Sequence, residues 1–459
     1  MSNSVSKSSF PGAGTPNARL TAWPAAIGLL AKWLDRRERI DELIDSLPPG
    51  LSGPERARCQ HLVFGVVRHF GRLEAALGRL VSHAPRFPTR AVLFMAGYEL
   101  IEAADTPESD GLVAKIVHHA VEQTKAVASK SEAGLVNAVV RKLALALAVP
   151  PPPKVASADV LAEYFSHPDW LVKRWLVDFG ADATRKLLEW NQQPATVYAR
   201  WRGPEGETAP DFLKPTQWAG FYEVPSGQWS KVEPLLKSGK IYLQDPGTRL
   251  AVELLAPQAG ETILDGCAAP GGKSLLMADA MNAHSTGSTG SPPAGPGPAG
   301  KIVAMDLPGP RIVRLKENLS RAHGVEVALV QADLLANPAP TLFEHKLPDS
   351  YDAVIIDVPC SNTGVMRHRA DVKWRLEPRD FDKHGRQQLA LLHAAARLVA
   401  PGGRLVYSTC SIDPEENERV IKAFFDSRAG GPFKLAGSAI SQPWVTGHDG
   451  GTAFLLRKS

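Results

Sequence analysis

An α/β domain with a doubly wound, mostly parallel sheet, preceded by an all-α region and a small α+β segment, is the fold class this sequence predicts. Three observations carry it. From about residue 241, short β-branched runs alternate with helical patterns. Residues from about 19 to 147 keep a helical period. The stretch between them mixes the two.

The strand-like runs are ETILD (261–265), KIVAMD (301–306), VEVALVQAD (325–333), YDAVIID (351–357) and GRLVYST (403–409). Helical patterns such as GKSLLMADAMN and RQQLALLHAAARLVA separate them. Strands joined by crossover helices lie parallel, and open α/β sheets bind ligands beyond their carboxyl ends. Asp265, Asp306, Asp333 and Asp357 end four of these runs. One carboxylate at a strand end is commonplace; four in register mark that edge as a site.

The N-terminal region carries apolar residues at three- and four-residue spacing. The stripes are Leu62, Val63, Val66, Val67, Phe70, Leu73, Leu77 and Leu80; Val113, Ile116, Val117, Ala120 and Val121; and Leu135, Val139, Val140 and Leu143. VPPPPK (149–154) is stiff and extended, which makes 148–159 a linker. Within 160–240, SHPDWLVKRWLVDFG reads as a helix entered through His167-Pro168-Asp169, and ATVYARW (195–201) as a strand. Trp170, Trp175, Trp190, Trp201, Trp218 and Trp229 cluster there among Lys and Arg. Aromatics beside cations stack bases and neutralise phosphates, although such tryptophans are more often core. The Ser/Gly/Pro-rich start, 1–18, reads as a disordered tail without the apolar stretch of a signal peptide. AHSTGSTGSPPAGPGPAG (283–300) reads as a flexible surface insertion.

Composition excludes several classes. Apolar residues make up 44% and charged residues 22%, values of a globular chain, and no apolar run reaches the roughly 18–20 residues that span a bilayer. Cys59, Cys267, Cys360 and Cys410 are too few and too dispersed for a disulfide framework, and no CxxC pair suggests zinc. Reduced thiols, the cytoplasm and no bound metal are the expectation. Residues 1–150 hold 18 Lys and Arg against 14 Asp and Glu, leaving 34 against 34 for the remainder. The excess includes Arg56, Arg58, Arg68, Arg72, Arg79, Arg86 and Arg90, consistent with a phosphate-binding face or with a solvated helical surface.

Three segments carry chemistry. LDGCAAPGGKS (264–274) follows a strand and opens a helix, so its glycines admit a ligand to the free N–H groups of a helix start. A phosphate-binding G-x-x-x-x-G-K-[ST] loop needs glycine at the position of Cys267, which disfavours an NTPase. Asp306, one strand on, suits a ribose diol, and Asp333 an adenine amino group. DVPCSNTGV (357–365) and YSTCSIDPEENE (407–418) each set a cysteine just past a strand. A lone buried cysteine is usually a small hydrophobe. Two at the same crevice, beside Asp357, point to nucleophilic chemistry.

CAAPGGK (267–273), DVPCSNTG (357–364), STCS (408–411) and PEENE (414–418) resemble the RsmB/Sun family of RNA cytosine-5 methyltransferases. YLQDPG (242–247) is similar to that family too. ERARCQHLVFGVVR (55–68) and GLVNAVVRK (134–142) resemble its NusB-like helical domain, so the resemblance covers most of the chain. It implies a NusB-like RNA-binding domain over 19–147, a small α+β RNA-binding subdomain over 160–240, and a Rossmann-like methyltransferase domain with a mixed, mostly parallel sheet over 241–459. It implies S-adenosylmethionine as cofactor, held by Cys267, Ala268, Ala269, Pro270, Gly271, Gly272, Lys273, Asp306, Asp333 and Asp357. It implies Cys410 as nucleophile and Cys360 as the cysteine that helps release product. The implied partner is RNA, foremost small-subunit ribosomal RNA, with no membrane and a monomeric enzyme. Four departures bear on the substrate loops: Val358 where alanine is common, Asn362 where glycine is common, Ala370 after Arg369, and a loosely matching end, GHDGGTAFLLRK.

Cytosine carbon 5 is a poor nucleophile. Thiolate addition at carbon 6 makes carbon 5 enamine-like, so it can attack a sulfonium methyl group. An ordinary cysteine is about 3% thiolate at pH 7. A protonated Asp357 is the candidate donor to N3, and Cys360, or a water, the base that helps release product. The base must leave its stack to be attacked. Transfer RNA as substrate, a non-catalytic RNA-binding assembly protein, and a DNA cytosine-5 enzyme are the alternatives. The last type lacks the second, TC cysteine.

Overall fold

The computed structural model describes residues 21–104, 109–204, 206–286 and 299–459. The expected tail at 1–18 and most of the expected insertion at 283–300 lie outside the described residues. The chain divides into two compact units, Met1–Lys173 and Arg174–Ser459.

The first unit is helical: α1 (Ala22–Arg36), α2 (Ile40–Asp45), α3 (Gly53–Gly78), α4 (Phe87–Ala104), α5 (Ser109–Val127), α6 (Lys130–Leu147) and α7 (Ala158–Tyr164). The α3 stripe from Leu62 to Leu77 is buried as its spacing predicts. In α6 the buried stripe is Val136, Val139, Val140 and Leu143, whereas Leu135 is exposed one position off the face. Ser129 and Glu132 form a reciprocal capping box that starts α6.

Most of the arginines for which a phosphate-binding face and a solvated helical surface are both open hold acidic partners within the unit. Arg58 pairs with Glu99, Arg79 with Glu163, Arg86 with Glu132 and Arg90 with Glu74. Arg72 donates to the Leu147 carbonyl and lies over Tyr164, and Arg68 is buried. Arg58, Arg79 and Arg86 remain exposed within these pairs. Arg141 and Lys142 are exposed and, by contrast, have no ion pair among the described residues.

A helical segment, α8 (Asp169–Gln192), contains the division between units and is broken at Gly180, where φ is 78°. A small antiparallel sheet follows in the second unit. Its strands are β1 (Tyr198–Trp201), β2 (Lys214–Pro215), β3 (Phe221–Glu223) and, after α9 (Trp229–Lys237), β4 (Ile241–Leu243), in the order β2-β3-β1-β4. Its fourth strand lies beyond the 160–240 span expected for that subdomain. Arg200 and Arg202 on and beside β1 grip Asp279, with Arg202 Nε 2.7 Å from Oδ2.

The large sheet has seven strands among the described residues. They are β5 (Thr262–Asp265), β6 (Lys301–Asp306), β7 (Glu326–Gln331), β8 (Tyr351–Asp357), β9 (Val399–Thr409), β10 (Phe433–Ser441) and β11 (Gly451–Lys458), in the order β10-β11-β9-β8-β5-β6-β7. All neighbours pair in parallel except β11, which runs antiparallel between β9 and β10. Around the sheet lie α10 (Arg249–Leu255), α11 (Gly272–Thr286), α12 (Arg311–Leu319), α13 (Ala339–Glu344), α14 (Pro378–Arg397), α15 (Glu418–Phe425) and the short α16 (Pro443–Thr446).

Alternation along the strands fills two cores. Leu264, Val303, Val354 and Leu405 face α14 and α15, whereas Ile263, Ile302, Ala353 and Val406 face α10 and α11. Sequence order reverses at β5, with β6 on one side and β8 on the other. A crevice opens at such a reversal, beyond the carboxyl ends of the strands.

Candidate active site

Asp265 ends β5, and the glycine-rich turn then runs into α11. Gly271 has φ 104°, a region other residues avoid, and a Cβ there would meet Leu315 Cδ1 at 3.1 Å. Asp306, at the end of β6, is buried and accepts from the Ala269 and Leu307 N–H groups, both at 2.8 Å, and from Arg311 at 3.0 Å. Its carboxylate thus holds the turn in shape.

A cavity of about 260 Å³ lies over this turn. Cys267, Ala268, Ala269, Pro270, Gly272, Lys273 and Asp357 line it, all expected from the sequence, and so do Asp265, Tyr242, Gln244 and Asp245. Gly271, Asp306 and Asp333 do not line it. Asp333 is exposed and caps the turn at Leu334–Ala336 through the Leu335 N–H.

Asp265 takes the Ser274 hydroxyl at 2.6 Å on Oδ2, while its buried Oδ1 has no partner. Burial pushes its carboxyl up to about 6. An unmatched acceptor at the wall of a cavity floored by a helix start fits a polar ligand that brings donors of its own. A nucleoside such as the adenosyl group of S-adenosylmethionine has them.

Pairing sets the next layer. Asp357 of β8 lies opposite Ser408 of β9, so the loops that follow meet. Cys360, three residues on, and Cys410, two residues on, have their sulfurs 3.2 Å apart. Cys360 is buried, and the hydrogen bond to Cys410, reinforced by burial, pushes its thiol well up. Cys410 lines a second cavity of about 70 Å³ with Ser408, Thr409, Asp449 and Gly450. Asp245, Thr248, Lys273 and Asp357 line both cavities.

Lys273 Nζ donates to Asp357 Oδ2 at 2.6 Å, and the Ser408 hydroxyl donates to Oδ1 at 3.0 Å. Both Asp357 oxygens are thus engaged, and Lys273 offers its own protons at the same junction. Burial works against the Lys273 ammonium, but the Asp357 charge and hydrogen bond outweigh it, and its pKa is raised.

A buried polar frame fixes the cysteine loops. Glu416 accepts from the Ser361 N–H at 2.9 Å, from the Ser361 hydroxyl, and from Gln388 at 3.0 Å. Asp413 accepts from Thr363 at 2.5 Å and from Arg174 at 2.9 Å. Gly364 N donates to the Cys410 carbonyl at 3.0 Å, an approach that only glycine permits, since a Cβ would meet that oxygen at 2.7 Å and the Gly450 carbonyl at 2.5 Å. Asn362 has φ 62°, so the departure from glycine uses the residue that best tolerates left-handed backbone. Its side-chain oxygen lies 3.3 Å from the Cys410 sulfur.

Sequence reading assigned no role to Asp245, His368, Asp413, Glu416 or Asp449. Asp245, Asp413, Glu416 and Asp449 stand inside the segments YLQDPG, YSTCSIDPEENE and GHDGGTAFLLRK, which was the available signal. His368 and Asp449, joined through Nδ1 at 3.0 Å, meet only through folding.

Strand order β7-β6-β5-β8-β9 closed by an inserted antiparallel strand, with a glycine turn and strand-end carboxylates at the reversal, defines a Rossmann-like, S-adenosylmethionine-dependent methyltransferase. Residues 252–434 match the sequence model of the 16S rRNA methyltransferase RsmB/F family, and residues 21–145 that of the NusB family. Over its methyltransferase domain the chain is similar to the RsmB/F family, and over the segment before it to the NusB family. It is 29% identical to the ribosomal RNA small subunit methyltransferase B of Citrobacter koseri, over 93% of this chain and 95% of the relative. It is also 29% identical to the probable ribosomal RNA small subunit methyltransferase B of Bacillus subtilis, over 82% and 80%. The fold is shared with the crystal structure of PH0851, at 22% identity and a TM-score of 0.71 over 96% of this chain and 99% of that one. A methyltransferase homolog protein from Pyrococcus horikoshii shares it at 22% identity and a TM-score of 0.51, over 66% of this chain and 100% of that one. Among the described residues, no helix is long and apolar enough to cross a membrane.

Proposed function

We propose that this protein methylates carbon 5 of a cytosine in small-subunit ribosomal RNA through a covalent bond between Cys410 and carbon 6. The observation that carries the reading is the 3.2 Å pair of cysteine sulfurs at the ends of adjacent strands, beside a junction where Lys273 and Asp357 face both cavities.

Bound S-adenosylmethionine supplies an electrophilic methyl group. The first cavity holds it through the 267–273 turn, with Asp265 as an acceptor and Asp306 keeping the turn in shape. Asp333 lies away from that cavity, at the end of β7, in reach only of a ligand that extends past the turn. In the second cavity the Cys410 sulfur faces the space for an unstacked base. Lys273 is the proton source for N3 of the attacked ring, oriented by Asp357. The Cys360 thiol, behind Cys410, keeps its proton and hydrogen-bonds the departing Cys410 thiolate when product leaves. The frame of Glu416, Asp413 and Ser361 keeps the two sulfurs in register.

Ribosomal RNA is the favoured substrate because the curated relatives that match nearly the whole chain carry that name. Bisulfite sequencing of total RNA from cells with and without the protein tests the reading. One protected cytosine in small-subunit ribosomal RNA, lost with the protein, is expected. A lost site confined to transfer RNA, or none, would overturn the assignment.

A further inference from the structure

Product release needs a base for the carbon 5 proton, and the structure offers few. Asp357 has both oxygens engaged, by Lys273 and Ser408. Asp449 is joined to His368 Nδ1 at 3.0 Å. Cys360 is buried, lines neither cavity and keeps its proton. Cys267 lines only the cofactor-side cavity, and burial pushes its thiol up. Lys273 is a cation. Asp245, like Lys273 and Asp357, lines both cavities, so it borders the point where methyl donor and base must meet; it differs from them in its second carboxylate oxygen. Its Oδ1 is fixed by the Gly247 N–H at 2.7 Å and the Asp449 N–H at 3.2 Å, while its buried Oδ2 has no partner.

We propose that Asp245 Oδ2 accepts the carbon 5 proton of the methylated adduct. The carbon 5–hydrogen bond breaks, and its electron pair forms the carbon 5–carbon 6 double bond. The carbon 6–sulfur bond breaks in turn and its pair returns to Cys410 as thiolate. The proton passes from Asp245 to solvent, and the N3 proton returns to the Lys273 amine that supplied it. This step rests on the Cys410 adduct proposed above. Burial, then the Asp449 charge, pushes the Asp245 carboxyl up to about 7, suited to taking a proton near neutrality. Asp449 and His368 lie against it, Lys273 and Asp357 line the same two cavities, and the Arg367 charge and the neutral Tyr198 phenol are near it.

Asp245→Asn keeps the shape and the Oδ1 acceptor but removes the base. With methyl-labelled cofactor and unmodified RNA, the variant is expected to bind cofactor normally and to accumulate a denaturation-resistant protein–RNA species that carries the label. Turnover should fall about 100-fold or more. Asp245→Glu should restore part of it. In the wild type, and in Cys360→Ala, resolution of the labelled adduct should rise with pH through about 7; in Asp245→Asn that rise should be gone. Normal turnover by Asp245→Asn, or an accumulated adduct without label, would overturn the proposal. Should Asp245→Asn fail to fold, the wild-type profile decides: a flat one between pH 5.5 and 8.5 refutes the role. Trapping on RNA containing 5-fluorocytosine, which has no carbon 5 proton to lose, separates the two layers. No trapped wild-type species means the covalent reading itself fails, whereas trapping by wild type and Asp245→Asn alike leaves only the Asp245 step under test.

Discussion

Lys273 and Asp357 form an ion pair, Nζ to Oδ2 at 2.6 Å, at the junction of the two cavities. The pair spans the helix start after β5 and the end of β8, so the glycine turn and the first cysteine loop share one electrostatic contact. Lys273→Met removes the only protons offered there by this pair and leaves Asp357 without its cation. Single-turnover methyl transfer should slow by about 100-fold or more, with cofactor affinity changed far less. Normal transfer by a folded Lys273→Met would show that the ammonium has no part in the chemistry.

Asp306 does not line the cofactor cavity but holds the Ala269 and Leu307 N–H groups. Asp306→Ala frees those donors and loosens the turn. Cofactor affinity measured by calorimetry should fall about 10–100-fold, the equivalent of one or two charge-assisted hydrogen bonds. Unchanged affinity in a folded variant would remove the turn from the binding account.

Asp265 connects stability to pH. Its carboxyl rises from 3.8 to about 6 through burial, so the folded state holds a proton more tightly than the unfolded state. Below about pH 4 the group costs nothing. Between about pH 4 and 6 the cost grows, and above 6 it is present in full, about 3 kcal/mol for a shift of this size. Asp265→Asn should therefore match wild type near pH 4 and exceed it in denaturant stability at pH 7, while binding cofactor more weakly. A stability difference independent of pH would contradict the buried, uncompensated carboxyl.

Much of this was legible in the sequence, and the pattern of success has physical causes. KIVAMD and YDAVIID match β6 and β8 residue for residue, because a β-branched run buried on both faces has few alternatives. The β10–β11 hairpin was missed: FKLAGSAIS mixes Gly, Ala and Ser, and GTAFLLRK was read only as a family-like ending. The exposed pattern of β10 explains why its signal is weak. CAAPGGK marked the cavity because such spacing is local. The ion pair of Asp449 with His368 was invisible, since 81 residues separate them. The arginine excess left two readings open for a related reason: charge counts do not reveal that Glu74, Glu99, Glu132 and Glu163 come to meet those arginines.

That distinction can be measured. Arg141→Ala combined with Lys142→Ala removes two exposed cations that hold no ion pair among the described residues. RNA binding should weaken and the slope of log affinity against log salt should become shallower by about 1–2. Arg90→Ala should instead lower the melting temperature, because it strands Glu74, and leave the salt slope nearly unchanged. Equal salt slopes for the double variant and the wild type would exclude this face from RNA contact.

Gly364 tests the loop frame. A Cβ at this position has the Gly450 carbonyl at 2.5 Å and the Cys410 carbonyl at 2.7 Å, both backbone atoms that cannot swing aside. Gly364→Ala should cost about 1–3 kcal/mol of stability and displace Cys410, reducing methyl transfer more than cofactor binding. Wild-type transfer rates in Gly364→Ala would mean that the 3.2 Å sulfur contact is not needed for catalysis.

The most direct measurement of the central claim is a denaturing gel of protein incubated with cofactor and radiolabelled RNA. Cys410→Ser should give no covalent species and no turnover, because a serine hydroxyl has essentially no alkoxide near neutral pH. Cys360→Ala, which keeps the nucleophile but loses the thiol that assists its departure, should give a persistent protein–RNA band. The reverse pattern, with the band in Cys410→Ser and none in Cys360→Ala, would assign the attack to Cys360 and contradict the account.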